Sequence, residues 1–239
     1  MLINPQEQNP IFQPRPLLSM ILPNSAVVVE QHGAFVGSLL AEESELVGGS
    51  TAKRRVEIAA GRTCARRALE SFGFAHQPIK RGTRREPIWP AGIVGSITHC
   101  DGYCAAAVAR EQEVASLGID VEPNEPLPDG VLSVIAIDEE IGALRDLADK
   151  EIHWDRLLFS AKESIYKAWY PMMKCWLGFD DVCVSFTPAT QTFQIRLLSK
   201  HTQMPAFRQY RWSGRYATGM GYILTSTIAS SMPNRPIYA

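Results

Sequence analysis

Ile93-Val94-Gly95-Ser96-Ile97-Thr98-His99-Cys100-Asp101-Gly102-Tyr103-Cys104-Ala105-Ala106-Ala107-Val108-Ala109 reads as two short strands, Ile93–Thr98 and Tyr103–Ala109, joined by a turn that ends in Asp-Gly. A third strand candidate, Ser116–Val121, follows the polar stretch Arg110–Glu113. Two tight connections predict an antiparallel meander. In a meander the first and third strands run the same way, so their ends share one rim. His99 is therefore expected near Asp120 and Glu122.

Helices flank this stretch. Upstream, Ser50 or Thr51 is a suitable N-cap, and Val56, Ala60, Cys64, Ala68 and Phe72 recur every fourth residue, with Ala65 and Leu69 beside them. That pattern predicts an amphipathic helix ended by Gly73. Arg55, Arg62 and Arg66 share a face away from its apolar stripe. Downstream, Pro123, Pro126 and Pro128 mark a linker. A second helix is predicted from about His153 to Tyr170, stopped by Pro171, with Trp154, Leu157, Leu158, Ala161, Ile165 and Ala168 as its buried stripe. Further strands are expected at Val27–Val29, Val182–Thr187, Thr192–Leu198, Phe207–Trp212 and Gly221–Ala229. Residues 1–24 hold five prolines and read as an irregular arm.

The chain has 239 residues, 46% hydrophobic and 21% charged, which suits one large globular domain or two small ones and excludes a disordered or fibrous protein. A net charge of −1 excludes a polycation built for nucleic acid. The balance conceals an asymmetry: from Lys53 to Arg85 ten basic side chains face only Glu57 and Glu70, whereas the remainder carries 14 basic against 23 acidic. Such a patch is either a solvated helix face or a seat for a compact polyanion such as a multiply phosphorylated small molecule. Five cysteines without a Cys-x-x-Cys pair point to reduced thiols in a cytoplasmic protein. Cys100 and Cys104 near His99 read as small apolar strand residues, not metal ligands. No apolar run approaches a membrane span, and no signal peptide is expected at the N-terminus.

Three segments carry polar groups that can do chemistry. In Gly118-Ile119-Asp120-Val121-Glu122, the carboxylates at i and i+2 point to one face of a strand. They form either a solvated edge or oxygen ligands for a hard divalent cation. In Phe159-Ser160-Ala161-Lys162-Glu163-Ser164-Ile165-Tyr166-Lys167-Ala168, Lys162 aligns with Tyr166 and Glu163 with Lys167 at i, i+4. Glu163 is then either a surface ion pair or a third carboxylate for the same ion, with the lysines free to neutralise phosphate oxygens. Gly95–His99 ends a strand at the same rim.

Trp89-Pro90, Gly95–His99, Gly118–Glu122 and Trp154–Ala168, followed by Trp169-Tyr170-Pro171, occur in the order and spacing that resemble the 4′-phosphopantetheinyl transferase superfamily, of the surfactin and enterobactin synthase type. The likeness covers roughly residues 50–180 and is poor before residue 45. It implies transfer of the phosphopantetheine arm of coenzyme A to a serine of an apo acyl or peptidyl carrier protein, with release of 3′,5′-ADP. The carriers implied are those of polyketide, nonribosomal-peptide and siderophore synthesis. Asp120, Glu122 and Glu163 match the family's ligands for Mg²⁺ (or Mn²⁺). Lys162, Tyr166 and Lys167 match contacts to the coenzyme A phosphates or pantetheine arm. Thr98 and His99 match the pair that touches the nucleotide and its 3′-phosphate. Arg54, Arg62 and Lys80 or Arg81 match phosphate-binding positions. Glu163 is the expected base, and Lys167, with His99, assists the departing 3′,5′-ADP. The implied fold is α+β: two similar halves, 1–122 and 123–239, related by a pseudo-twofold, each a long helix on a small antiparallel sheet with the active cleft between them. A monomer that binds neither nucleic acid nor membrane is expected. A non-catalytic coenzyme A or carrier-protein binding module and a metal-dependent phosphohydrolase are the rival readings.

Overall fold

A computed structural model describes residues 15–147, 149–198 and 205–232. The chain is α+β, with two antiparallel sheets. Strands β1 (Val27–His32), β2 (Ile93–Cys100) and β3 (Tyr103–Arg110) form the first sheet, in the order β1-β3-β2. Strands β4 (Ser116–Pro123), β5 (Val182–Thr187), β6 (Thr192–Leu197), β7 (Tyr210–Gly219) and β8 (Tyr222–Ser231) form the second, in the order β4-β8-β7-β6-β5. The β2–β3 hairpin pairs His99 with Cys104 across Asp101-Gly102, where Gly102 adopts φ +71°.

The expected meander stops there. β4 pairs with β8 and not with β3, so the third strand belongs to the other sheet. It still lies beside β2. The Ser96 hydroxyl accepts from Ile119 N (3.1 Å) and the Thr98 hydroxyl from Val121 N (3.2 Å). The constant offset between these pairs means that β2 and β4 run in the same direction. Thr98 and Asp120 therefore reach one rim by a different route from the one the turns suggest. Two side-chain hydroxyls, in place of a main-chain ladder, join the sheets.

Helix α1 (Ala52–Glu70) covers the first sheet; its N-cap Thr51 accepts from Arg54 N. Ala60, Cys64, Ala68 and Leu69 are buried against Ala106 and Val108 of β3, but Val56 is 48% exposed and lies outside that core. The basic face of α1 is only partly solvated: Arg55 is exposed, whereas Arg62 and Arg66 are buried. Arg66 is buried, paired with the buried Glu43 at 2.5 Å, and Arg62 donates to Ile79 O at 2.8 Å.

The proline-marked linker contains two short helices, α2 (Val131–Ile135) and α3 (Asp138–Arg145). Helix α4 (Trp154–Met173) lies on β4 and β8 through small hydroxyl residues: Ser160 meets Thr225, Ser164 meets Thr227, and Ser116 donates to Ala168 O. Pro171 does not stop α4 but lies within its last turn; the helix ends at Lys174, which takes φ +50°. At Gly118 a Cβ would run into the main chain of α4 at Ser164 and Ala168, so glycine sets how closely the helix and strand approach. The apolar stripe of α4, including Leu157, Leu158, Ala161 and Ile165, fills the larger core together with Val184, Phe193 and Ile223.

The strand expected at Phe207–Trp212 begins at Tyr210 and runs to Gly219, and the one expected at Val27–Val29 extends to His32. Of the irregular arm, residues 1–14 lie outside the described residues. The remainder is anchored: Leu18, Ile21 and Leu22 enter the same core as Leu117, Ile119 and Leu224, and Ser226 Oγ donates to Ile21 O. Among the described residues no helix is long and apolar enough to cross a membrane.

Candidate active site

The rim where β2 and β4 end meets the middle of α4. Asp120 is 4% exposed. Its Oδ1 accepts from Lys167 Nζ (2.6 Å) and from the Thr98 hydroxyl (3.2 Å). Its Oδ2 is buried and has no hydrogen-bond partner. A buried carboxylate oxygen left without a donor is costly, and such an atom calls for an explanation. Glu122, two residues on, pairs with Arg156 at 3.1 Å. Burial first, and the Asp120 charge second, push its pKa up to about 7. Glu163, one turn before Lys167 on α4, also has a raised pKa. Burial is the main cause, the Asp120 charge adds to it, and Lys167 opposes it. Asp120 is thus an electrostatic neighbour of both Glu122 and Glu163. Among the described residues, however, no three or more His, Cys, Asp or Glu side chains are grouped so that they could hold a metal ion as they stand.

Strand alternation separates Thr98 from its neighbour. Thr98 points to β4, whereas His99 faces α1, where its Nε2 contacts both Arg54 and Glu57. Burial first, then Arg54, hold the His99 pKa below its usual 6.5. His99 lines a cavity of about 260 Å³ together with Arg54, Arg62, Arg81, Arg85 and Lys167. Arg62 is so enclosed that desolvation lowers its pKa to about 10. The structure thus gathers a histidine, four arginines and a lysine around one opening, in a volume suited to a nucleotide carrying phosphates.

Two smaller spaces adjoin Glu163. One of about 210 Å³ lies between Pro87, Ile97, Tyr166, Lys167 and Tyr170, and one of about 130 Å³ lies between Tyr166, Trp176, Leu177 and Phe179. Tyr166 lines both.

Two expected contacts fall elsewhere. Lys80 is exposed beside Glu42 and Glu45 in a separate surface hollow, which Arg81 also lines. Lys162 is 2% exposed, and all three of its N–H donors end on protein acceptors: Ile135 O, Glu140 and Phe179 O. It is not placed to meet phosphate. Three site residues escaped sequence reasoning: Arg85 of the cavity wall, Glu57 beside His99, and Arg156 beside Glu122. Arg156 had a usable signal, since it precedes Glu163 by seven residues, two helical turns along one face of α4.

Comparison with known proteins gives the family. Residues 42–109 match the family model described as the 4′-phosphopantetheinyl transferase N-terminal domain, and residues 116–221 match the 4′-phosphopantetheinyl transferase superfamily. The chain is 46% identical over 200 residues to 4′-phosphopantetheinyl transferase Svp of Streptomyces mobaraensis, covering 83% of this chain and 81% of the relative. It is 42% identical over 193 residues to 4′-phosphopantetheinyl transferase PptT of Mycobacterium tuberculosis, covering 79% and 85% respectively. Enterobactin synthase component D of Salmonella typhi is 31% identical over 168 residues, 66% of each chain. The chain therefore belongs to the 4′-phosphopantetheinyl transferase superfamily, and it transfers the phosphopantetheine arm of coenzyme A to carrier proteins.

Proposed function

We propose that the transfer takes place between the basic cavity of α1 and the carboxylates at the β4–α4 junction, in the presence of Mg²⁺ or Mn²⁺. The observation that carries this placement is the buried, partnerless Oδ2 of Asp120, beside Lys167 and the desolvated Glu163.

The donor set suits a hard divalent cation. Three carboxylates, two of them with raised pKa values through burial and mutual repulsion, are groups that a cation relieves. Asp120 Oδ2, Glu122 and Glu163 would hold the ion. When bound, the ion supplies charge neutralisation at the diphosphate.

The protein's own groups do the rest. Arg54, Arg62, Arg81 and His99 hold the nucleotide phosphates, with Arg85 completing the cavity. Tyr166 flanks the pantetheine arm. Thr98 acts indirectly, holding Asp120 and β4 in place. The carrier serine Oγ attacks the β-phosphorus; the new Oγ–P bond replaces the bond to the leaving oxygen of 3′,5′-ADP. The serine proton passes to the Glu163 carboxylate, the base beside the reacting centre. Lys167 stabilises the departing 3′,5′-ADP. No covalent enzyme intermediate is required.

The larger frame is read in the same way. Residues 1–122 and 123–239 are proposed as pseudo-twofold halves, with β4 the strand of the first that joins the sheet of the second. A monomeric, cytoplasmic enzyme of siderophore, polyketide or nonribosomal-peptide synthesis is proposed; the cysteine pattern supports the compartment, and the relative named enterobactin synthase component D supports the siderophore reading.

Intact-protein mass spectrometry tests the placement. Apo-carrier mixed with coenzyme A, Mg²⁺ and enzyme is expected to gain the phosphopantetheine mass. Asp120→Ala and Glu163→Ala should each lower the rate by about 100-fold or more while the protein stays folded. Near-wild-type transfer by either variant overturns the assignment. Phosphate release from coenzyme A with every carrier unmodified would point to hydrolysis instead.

A further inference from the structure

The Lys162 ammonium is the centre of a closed polar knot in the larger core. Its side chain and that of Glu140 are each 1% exposed and lie 2.6 Å apart. Lys162 Nζ also donates to Ile135 O at the end of α2 (2.7 Å) and to Phe179 O beyond the end of α4 (2.7 Å). Glu140 in turn accepts from Val184 N of β5 (2.8 Å) and from Ile137 N (3.0 Å). An ammonium has three donors, and all three are spent here. Reaching a phosphate would break three bonds and leave Glu140 buried without its cation, a loss few ligands could offset.

The knot has a consequence at the active site. The chain leaving α4 turns back along the helix. Trp176 packs against Tyr166 (ring centroids 5.2 Å apart) and Phe179 against Phe159 (6.0 Å). Trp176, Leu177 and Phe179 thereby become the wall of the 130 Å³ space next to Glu163. Within this returning segment, the Phe179 carbonyl is the atom that Lys162 grips.

We infer that Lys162 is a positioning residue for the transfer reaction: its side chain lines the space beside the Glu163 carboxylate, but its ammonium pins residues 175–181 against α4 and so fixes that wall, without binding the phosphates of coenzyme A. The inference rests on the transfer reading of the site. A buried charge with every donor matched admits one arrangement, because any slip exposes unpaired groups. That makes the wall single-valued where the acceptor serine must meet Glu163 to within fractions of an ångström.

The test compares Lys162→Met with the double variant Lys162→Met/Glu140→Leu. The double variant removes both buried charges together and so avoids the orphaned Glu140 of the single one. Coenzyme A affinity is measured by calorimetry with Mg²⁺, carrier modification by steady-state kinetics, and local order by hydrogen exchange at residues 175–181. In the double variant, coenzyme A Kd should stay within about twofold, kcat should fall by about tenfold or more, and exchange at 175–181 should rise. A coenzyme A Kd weakened by about tenfold would make Lys162 a phosphate contact and overturn the inference. So would a folded double variant with wild-type kcat. Wild-type enzyme that modifies no carrier would overturn the reading of the site itself, a result distinct from either.

Discussion

Asp120 shows how one residue serves two purposes. Its Oδ1 closes a structural contact with Thr98 and Lys167, while its Oδ2 is buried without a hydrogen-bond partner. The i, i+2 carboxylates were legible in the sequence, because strand alternation alone puts them on one face. Which oxygen is orphaned was not, since that depends on a helix forty residues away. Lys162 illustrates the opposite case: its place beside Glu163 in a charged motif suggests a phosphate ligand, yet the next position around a helix turns it into the core. His99 yields a test at this scale. Burial and Arg54 depress its pKa, so the folded protein binds the proton less readily than the unfolded chain. Its contribution to stability is therefore present above pH 6.5 and is lost as the pH falls below it. A bound phosphate reverses the shift. Coenzyme A binding near pH 6.5 should take up a fraction of a proton at His99. Calorimetry in buffers of different ionisation enthalpy measures this as the difference between wild type and His99→Gln; equal uptake by both would exclude the contact.

The decisive relation between elements is β2 against β4. Tight turns correctly forecast that their ends meet and wrongly forecast a meander. The sequence carries the hydroxyls of Ser96 and Thr98 but not their use as substitutes for main-chain acceptors. Helices α2 and α3 were hidden for a related reason: at five and eight residues, behind a run of prolines, they offer too little periodicity to be seen. Pro171 misled because proline within the last turn forgoes one bond without ending the helix. The burial within the basic face of α1 was hidden because Arg62 and Arg66 are covered by the segments that hold Ile79 and Glu43, 17 and 23 residues away. The contact of α4 with β4 gives the sharpest forecast. Gly118→Ala would force a methyl group into the main chain of Ser164 and Ala168. The variant should lose about 1–3 kcal/mol of stability, read as a lower Tm. Because the displaced helix carries Glu163 and Lys167 away from Asp120, carrier modification should also fall by about tenfold or more. Full activity in a folded Gly118→Ala protein would show that this spacing does not matter.

At the scale of the whole molecule, the site exists only where the two sheets meet. The first sheet and α1 bring the cationic cavity and His99, and the second sheet and α4 bring the carboxylates and Lys167. The segment from Leu17 to Leu22 helps to hold them together by burying Leu18 and Ile21 against β4 and β8. In the proposed site, substrate and acceptor meet at this seam, where the cationic cavity faces the carboxylates. Convergence of strand and helix carboxylates on one cation is the central requirement of this arrangement. Mn²⁺ has its own anomalous scattering signal, so a crystal grown with coenzyme A and Mn²⁺ reads its position directly. A single anomalous peak is expected within bonding distance of Asp120 Oδ2 and of the Glu163 carboxylate, next to the diphosphate. A peak bound away from both residues, or coenzyme A seated with no peak beside its diphosphate, would contradict it.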